Sequence, residues 1–533
     1  MEHKNVKPQS FFPWLGQSLL DLIVKFGKWL LDTIWIFVKA FINIFVSAYK
    51  IILKVALKIY NWFKNWITTF IKGNWKTRLS YLVMGSSHLF NGQIVKGLIF
   101  LVLQAVFLLF MFLPKGGVYW LSQFNIFDVP GGDGFKWIGD VGQTTSYVLN
   151  DPGFGKPIQI TALTGLNASN SMLVMLYAVA TLIIIVGIFL LYNANIKDAY
   201  RTQVLKQENR HVKSFKEDAK ALFDEKFHIT ILSFPMLTIL VFNILPLIFM
   251  ILLAFTNASR DFFPPAKRFA WTGLDTFAQL FGGSAAWSHA LGDILKWTIV
   301  WAIVATLTNY LGGMILALII NKKGIHLKKL WRILFVISIA IPQFITLTMM
   351  ARFIGQNGPV MNALVRLGWI DRAVNLFGKT SSARLTVILV NMWVGVPYTM
   401  LITSGILMNI PEELYESARI DGAGPVRQFV SITLPYMLFV TGPYLITQFI
   451  GNMNNFNVIF FLTGGGPDQT VGGVTYGKTD LLITWLYDLT IDGVQKQYSM
   501  GSAIGIVSFV ISAFVSLVMY SRSSAETQEG DFA

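Results

Sequence analysis

Eight stretches of this chain, near residues 94–113, 171–192, 229–255, 292–320, 333–351, 385–406, 436–460 and 500–520, are apolar for close to twenty residues or more. A helix of about that length crosses the roughly 30 Å of hydrocarbon in a bilayer. Inside hydrocarbon every backbone amide must be satisfied within its own segment, which selects helices for such stretches. Composition agrees: 54% of the residues are hydrophobic and 13% are charged, where soluble domains carry about 25% charge. The expected fold is therefore an all-α polytopic membrane protein with about eight transmembrane helices. The absence of cysteine excludes disulfides and Cys-ligated metal or haem sites. The formal net charge of +15 fits basic cytoplasmic loops drawn to anionic membrane lipid, with no nucleic-acid partner implied.

Ahead of these stretches, a segment from about Ser18 to Trp62 places Asp21, Lys25, Lys28, Asp32, Lys39, Asn43, Lys50, Lys54 and Asn61 in one narrow stripe at helical spacing. Leu, Ile, Val, Phe and Trp fill the rest of the circumference. This pattern predicts an amphipathic helix lying in the membrane interface within residues 1–75. The alternative, a span around Trp29 to Tyr49, sets Lys39 near the bilayer centre at a cost of ~3 kcal/mol or more. No cleavable signal peptide is visible, so the first spanning segment is expected to direct insertion.

Basic residues set the expected sidedness. The 193–227 loop carries Lys197, Arg201, Lys206, Arg210, Lys213, Lys216, Lys220 and Lys226, and the short loop after 320 carries Lys322, Lys323, Lys328, Lys329 and Arg332. Both read as cytoplasmic. Counting spans then puts both termini and the polar stretch Glu412–Pro435 inside. Segments 114–170, 256–291, 352–384 and 461–499 fall outside, although the Arg and Lys of 352–384 run against the rule. The expected units are 1–75, the interfacial helix; 76–228, two extra spans with an outer and a basic inner loop; 229–520, a membrane core holding the loop 411–435; and 521–533, a cytoplasmic tail.

The polar island has a local logic. Pro411 suits the first turn of a helix whose positive end favours Glu412 and Glu413. Asp421-Gly422-Ala423-Gly424-Pro425 then breaks that helix, and Gly422 can take φ > 0 so that the chain doubles back. A second short helix is expected from Val426, with a restart at Leu434-Pro435 because proline is tolerated in a first turn. The product is a helix–turn–helix projecting from the membrane, with Glu416 and Arg419 on its surface.

This island resembles the EAA loop of ABC-importer permeases, with Glu416, Ala418, Gly422, Ile432, Leu434 and Pro435 at that family's spacing. From about 229 to 520 the chain is similar to the maltose/maltodextrin-type sugar permeases. Asn391-Met392-Trp393-Val394-Gly395-Val396-Pro397-Tyr398, Leu462-Thr463-Gly464-Gly465-Gly466-Pro467-Asp468 and Thr479-Asp480-Leu481-Leu482 carry that resemblance. It implies a multi-pass subunit of the cell membrane that pairs with a second homologous permease, two ABC ATPase subunits and an extracellular solute-binding protein to import an oligosaccharide. ATP and Mg would sit on the partner ATPases, and no cofactor or metal on this chain. Glu416, Ser417, Ala418, Arg419, Asp421, Gly422, Ala423 and Pro435 would form the ATPase-coupling loop. Asn391, Gly395, Tyr398, Asn452 and Asn455 would meet the sugar. Asparagine offers both donors and acceptors to hydroxyls, and tyrosine can stack on an apolar sugar face. Interhelical hydrogen bonding uses the same residue types and is the alternative for these positions. Ile339, Gln343 and Gly451 depart from the maltose-type pattern, which leaves room for another saccharide. A related importer subunit for a non-sugar solute, and a self-sufficient secondary sugar carrier, are the remaining alternatives.

Two further patterns are weighed and set aside. Gly472-Gly473-Val474-Thr475-Tyr476-Gly477-Lys478-Thr479 matches G-x-x-x-x-G-K-[ST], but a phosphate loop needs a strand before it and a helix after it, and the preceding Gly464-Gly465-Gly466-Pro467-Asp468-Gln469-Thr470 reads as no strand. The histidines are scattered without metal-ligand spacing, and no nucleophile–base pair is evident, so no catalytic residue is expected. Apolar segments nearly free of ionisable groups also argue against an ion-coupled carrier.

Overall fold

The computed structural model describes residues 46, 49–50, 53–124, 136–137, 144–149, 158–163, 170–262, 269–322, 324–492 and 496–522. Among these, seven helices are long and apolar enough to cross a membrane, and a bent pair brings the number to as many as eight. A helix over 53–72 (α1) comes first. Then follow α2 (Ile94–Phe112), α3 (Ser171–Gln207), α4 (Phe227–Leu253), α5 (Ala285–Asn321), α6 (Lys328–Ala340) and α7 (Gln343–Ile354). Next are α8 (Thr380–Leu407), α9 (Glu412–Ile420), α10 (Leu434–Met453), α11 (Phe456–Leu462) and α12 (Tyr498–Arg522).

The centre of the molecule is the parallel pair α5 and α8, with α10 against both. Small residues let the first two approach closely: a Cβ on Gly313 would lie 2.6 Å from the Cβ of Thr399. Without a hydrophobic driving force in lipid, close backbone packing of this kind holds helices together. Trp297, Trp301 and Ala305 of α5, Val387 and Val390 of α8, Leu347 of α7 and Val458 and Ile459 of α11 form one buried cluster. By contrast, α2 and α4 bury little of their surface and present apolar side chains outward, Phe234 and Phe242 among them.

The fifth expected span is not one helix. It breaks at Ile341-Pro342 into α6 and a second arm bent by 93°. Proline lacks an amide proton and keeps the residue before it extended; Ile341 accordingly sits at φ −82°, ψ 128°. The chain nevertheless changes ends there. At one end of the α5/α8 pair, Asn321 donates to Ser404 Oγ at 3.2 Å and accepts from Arg332. At the other, the Arg384 guanidinium lies 4.2 Å from the Trp297 ring and donates to the Lys478 carbonyl at 2.9 Å. The 352–384 segment therefore shares an end with 461–499, as the span count required despite its basic residues.

That second end is a web of loops. The Trp271 indole donates to the Phe124 carbonyl at 2.9 Å. Residues 136–137 pair with 270–271, and Ser499 N–H donates to Ala258 O. A hairpin of Asp468–Val471 and Val474–Gly477 stands here, so this is called the hairpin end. The opposite end, bearing α9, is the loop end. There Lys96 bridges Asp198 and Asp218, tying α2 and α3 to the basic segment after α3.

Most of the expected N-terminal interfacial helix, with Asp21, Lys25, Lys28, Asp32, Lys39 and Asn43, lies outside the described residues. Its described part, α1, runs alongside α3 and in the same direction. Trp62 donates to Asn193 at 3.2 Å and packs on Phe189, while the Lys72 carbonyl accepts from Gln203 ten residues further on.

Candidate functional site

At the loop end, α9 opens with Glu412 and Glu413 in its first turn and closes with Arg419 in its last, both favourable to the helix dipole. Pro411 stands one position earlier than expected, as the extended N-cap at φ −57°, ψ 132°. The C-terminus is a Schellman motif: Ala423 N–H donates to Ala418 O at 2.8 Å and Gly422 N–H to Arg419 O at 3.1 Å. Gly422 holds φ +75°, the left-handed conformation that this motif needs and that side chains disfavour. Gln428 Nε2 donates to Ala423 O at 2.7 Å, and Tyr415 OH meets Thr433 Oγ1 at 2.9 Å, locking the returning arm. Glu416, Ser417, Arg419 and Asp421 are exposed. So are the apolar Ile420 and Val426, at 87% and 77%.

One expectation needs correction. Leu434-Pro435 does not restart a helix. Pro425–Gln428 continues through a widened π turn, Phe429–Thr433, straight into α10. The turn closes with Leu434 N–H on Phe429 O, and its extra width just before Pro435 makes room for a residue that clashes with a normal helical turn.

At mid-depth of the bundle the expected polar residues divide. Asn452 is buried and committed: its Nδ2 donates to Thr306 Oγ1 at 2.9 Å and its carbonyl accepts from the Trp301 indole at 3.1 Å. Asn455 caps α11, accepting from Val458 N–H at 3.2 Å. Gln343 accepts from Asn457 at 3.1 Å. Tyr398 is 47% exposed. Asn391 is 4% exposed, and its Nδ2 is buried with no hydrogen-bond partner.

Gly395, one turn from Asn391, makes space for a neighbouring side chain. A Cβ there would collide with the amide of Asn309 on α5, whose Oδ1 is also buried and unpartnered. Asn309, with Thr306 and Tyr310, was not singled out from sequence. The signal was present as Thr306-Leu307-Thr308-Asn309-Tyr310, a polar run inside an otherwise apolar helix.

At the hairpin end the phosphate-loop look-alike is a β-turn: contrary to expectation a short strand, Asp468–Val471, does precede it, but an antiparallel strand, Val474–Gly477, follows in place of a helix. Gly472 and Gly473 take φ +55° and +83° at the tip of an antiparallel pair. Lys478 is spent on Asp293 at 2.7 Å, Tyr476 OH donates to the same carboxylate at 2.9 Å, and Thr479 Oγ1 donates to Gly465 O at 2.7 Å. Beside the hairpin a cavity of about 570 Å³ is lined by Asp468, Asp488, Asp492 and Trp287. Burial, and then the charge of Asp488, push the Asp480 carboxyl up to about 8. Asp488 is pushed up to about 7 by burial, then by Asp492 and Asp468. Among the described residues no group of His, Asp and Glu could hold a metal ion.

Comparison with known proteins places these features in context. Residues 309–523 match the family model described as binding-protein-dependent transport system inner membrane component. The galactooligosaccharides transport system permease protein of Bacillus subtilis is 34% identical over 346 residues, covering 63% of this chain and 80% of that protein. The maltodextrin transport system permease protein of Streptococcus pneumoniae is 30% identical over 466 residues, covering 85% and 97%. A solved bacterial alginate ABC transporter, in complex with an alginate pentasaccharide-bound periplasmic protein, has a chain 22% identical with a TM-score of 0.46, covering 58% of this chain and 97% of that one.

Proposed function

Because the chain belongs to the binding-protein-dependent transport system inner membrane components, we propose that it pairs with a second homologous permease to form the path for a maltodextrin-like oligosaccharide handed over by an external solute-binding protein. As a member of that family it is a multi-pass membrane permease of an ABC importer, a transport subunit and not an enzyme. ATP hydrolysis then belongs to two partner ATPase subunits at the loop end, which is the cytoplasmic end together with both termini.

The observation that carries this reading is the α9 hairpin. It is a rigid, Schellman-closed helix–turn–helix whose exposed face mixes Glu416 and Arg419 with Ile420 and Val426. A charged rim around apolar anchors is what a docking protein needs. Because the returning arm runs unbroken into α10, a push on the hairpin is passed directly into α10. Closure of the ATPases thereby tilts the helix that carries Asn452 beside the polar bundle centre. This is rigid-body alternating access driven by contacts that differ between two states. Asn391, Gly395 and Tyr398 lie on the sugar side in this reading, and Asn452 and Asn455 hold the helices that frame it.

The test is reconstitution with the partner permease, the ATPases and the binding protein in liposomes. Saccharide-loaded binding protein is expected to stimulate ATP hydrolysis, and Glu416→Lys to abolish that stimulation while the chain still inserts. Sugar uptake by the purified chain without any ATPase would sink the proposal.

A further inference from the structure

We infer that Asn309 of α5 is a second saccharide-contacting asparagine, which shares one sugar hydroxyl with Asn391 of α8. The inference rests on the functional reading above and deepens it. Two buried amide atoms of opposite character face the α5/α8 seam without partners: the acceptor Asn309 Oδ1 and the donor Asn391 Nδ2. Asn309 occupies the space that a side chain at position 395 would fill, and positions 391 and 395 lie one helical turn apart on the same face of α8, with about 5–6 Å between such positions.

Buried amide groups are almost always paired, because leaving one unsatisfied is costly. Neighbours in this layer are paired, Asn452 with Thr306 and Tyr310 with Thr441 at 2.7 Å, while the Tyr444 hydroxyl is a third buried polar atom without a partner. A lone donor and a lone acceptor about one helical turn apart call for a group that is both. A hydroxyl accepts from Asn391 Nδ2 through its oxygen and donates its proton to Asn309 Oδ1, and a saccharide is a chain of hydroxyls.

Both atoms are sealed in this structure, so the seam must open to admit one. Two neighbouring features of α8 suit that. Gly395 puts no side chain across the seam, and Pro397 lies within the helix. The proline leaves a carbonyl one turn earlier without its helical donor and makes the position a natural kink. Tyr398, half exposed beside them, borders the route in.

The experiment uses the complete transporter in proteoliposomes, with uptake of maltotriose compared with a panel of mono-deoxy maltotrioses. Asn309→Ala is expected to lower maltotriose uptake about fivefold to tenfold, the loss of one hydrogen bond. The deoxy sugar lacking the shared hydroxyl should be taken up equally well by wild type and variant, while every other deoxy sugar loses as much as maltotriose does. Asn309→Ser keeps an acceptor and is expected to preserve hydroxyl discrimination, which keeps the test readable if the alanine variant does not assemble. Unchanged uptake by Asn309→Ala, or an equal loss across the whole panel, overturns the inference and leaves Asn309 a packing residue. So does an Asn309→Ser transporter without hydroxyl discrimination. A wild-type transporter that takes up no saccharide at all overturns the functional reading as well.

Discussion

Gly422 decides the shape of the α9 hairpin through its backbone alone. Nothing lies within 4 Å of where a Cβ would stand, yet φ is +75°, so a side chain there meets conformational strain and no clash. Gly422→Ala is expected to weaken the turn by ~1 kcal/mol, visible as faster amide exchange over 418–424 with the rest of the chain unchanged. Asp480 acts differently, through its surroundings. Its folded pKa is raised to about 8 above an unfolded value near 4. The folded state thus binds the extra proton, and the hairpin end should be most stable below about pH 4 and lose stability as pH rises to about 8. Asp480→Asn should remove most of that slope, since its amide can still accept from Gly477 N–H and donate to Thr484 Oγ1, the present partners. Thermal unfolding between pH 5 and 8 measures it; an unaltered slope would assign the effect to Asp488. Gly422 was legible in the sequence because a turn is a local affair. The engagement of Asn452 was not, because its partner Thr306 lies 146 residues away.

Among the elements, existence was easier to read than continuity. Every apolar stretch singled out in the sequence lies mainly in helix, the fifth broken at Ile341-Pro342 and the seventh interrupted at Asn454-Asn455. But two prolines reversed their expected roles: Pro342, inside an expected span, breaks it, and Pro435, expected to restart a helix, is carried within one. A proline states only that a normal helical turn cannot pass; whether the chain bends or widens is settled by neighbours. At Pro435 a π turn resolves the conflict, and at Pro342 the bent arm α7 finds its packing against α11. The α5/α8 seam yields a sharper prediction. A Cβ on Gly313 would lie 2.8 Å from the Met400 backbone nitrogen, and backbone cannot swing aside. Gly313→Leu should destabilise the pair by at least ~1–3 kcal/mol, read as a lower melting temperature of the purified protein in detergent. An unshifted transition would mean that the seam is looser than its packing implies.

For the whole molecule the chief question is which end faces out. The chain holds no cysteine, so single cysteines can be introduced without interference. Trp369 and Ile420 are 75% and 87% exposed, near the hairpin and loop ends respectively. With an impermeant thiol reagent, Trp369→Cys should label on intact cells, and Ile420→Cys only after the membrane is opened. The reverse pattern would invert the proposed orientation. The relative arrangement of the ends followed from counting spans, because each crossing reverses the chain whatever its internal shape. The interlocking of loops from distant parts of the chain at the hairpin end had no counterpart in any local pattern.

The Asp293–Lys478 pair sets a timetable for biogenesis. The carboxylate sits in α5, and the lysine that neutralises it is made 185 residues later. At 5–20 residues per second of synthesis, that is about 10 to 40 s during which a membrane-edge acid waits uncompensated. Tyr476, its other donor, arrives almost as late. A ribosome stalled within that interval would leave α5 made with its acid unpaired, so the hairpin is the closing stitch of this end of the molecule.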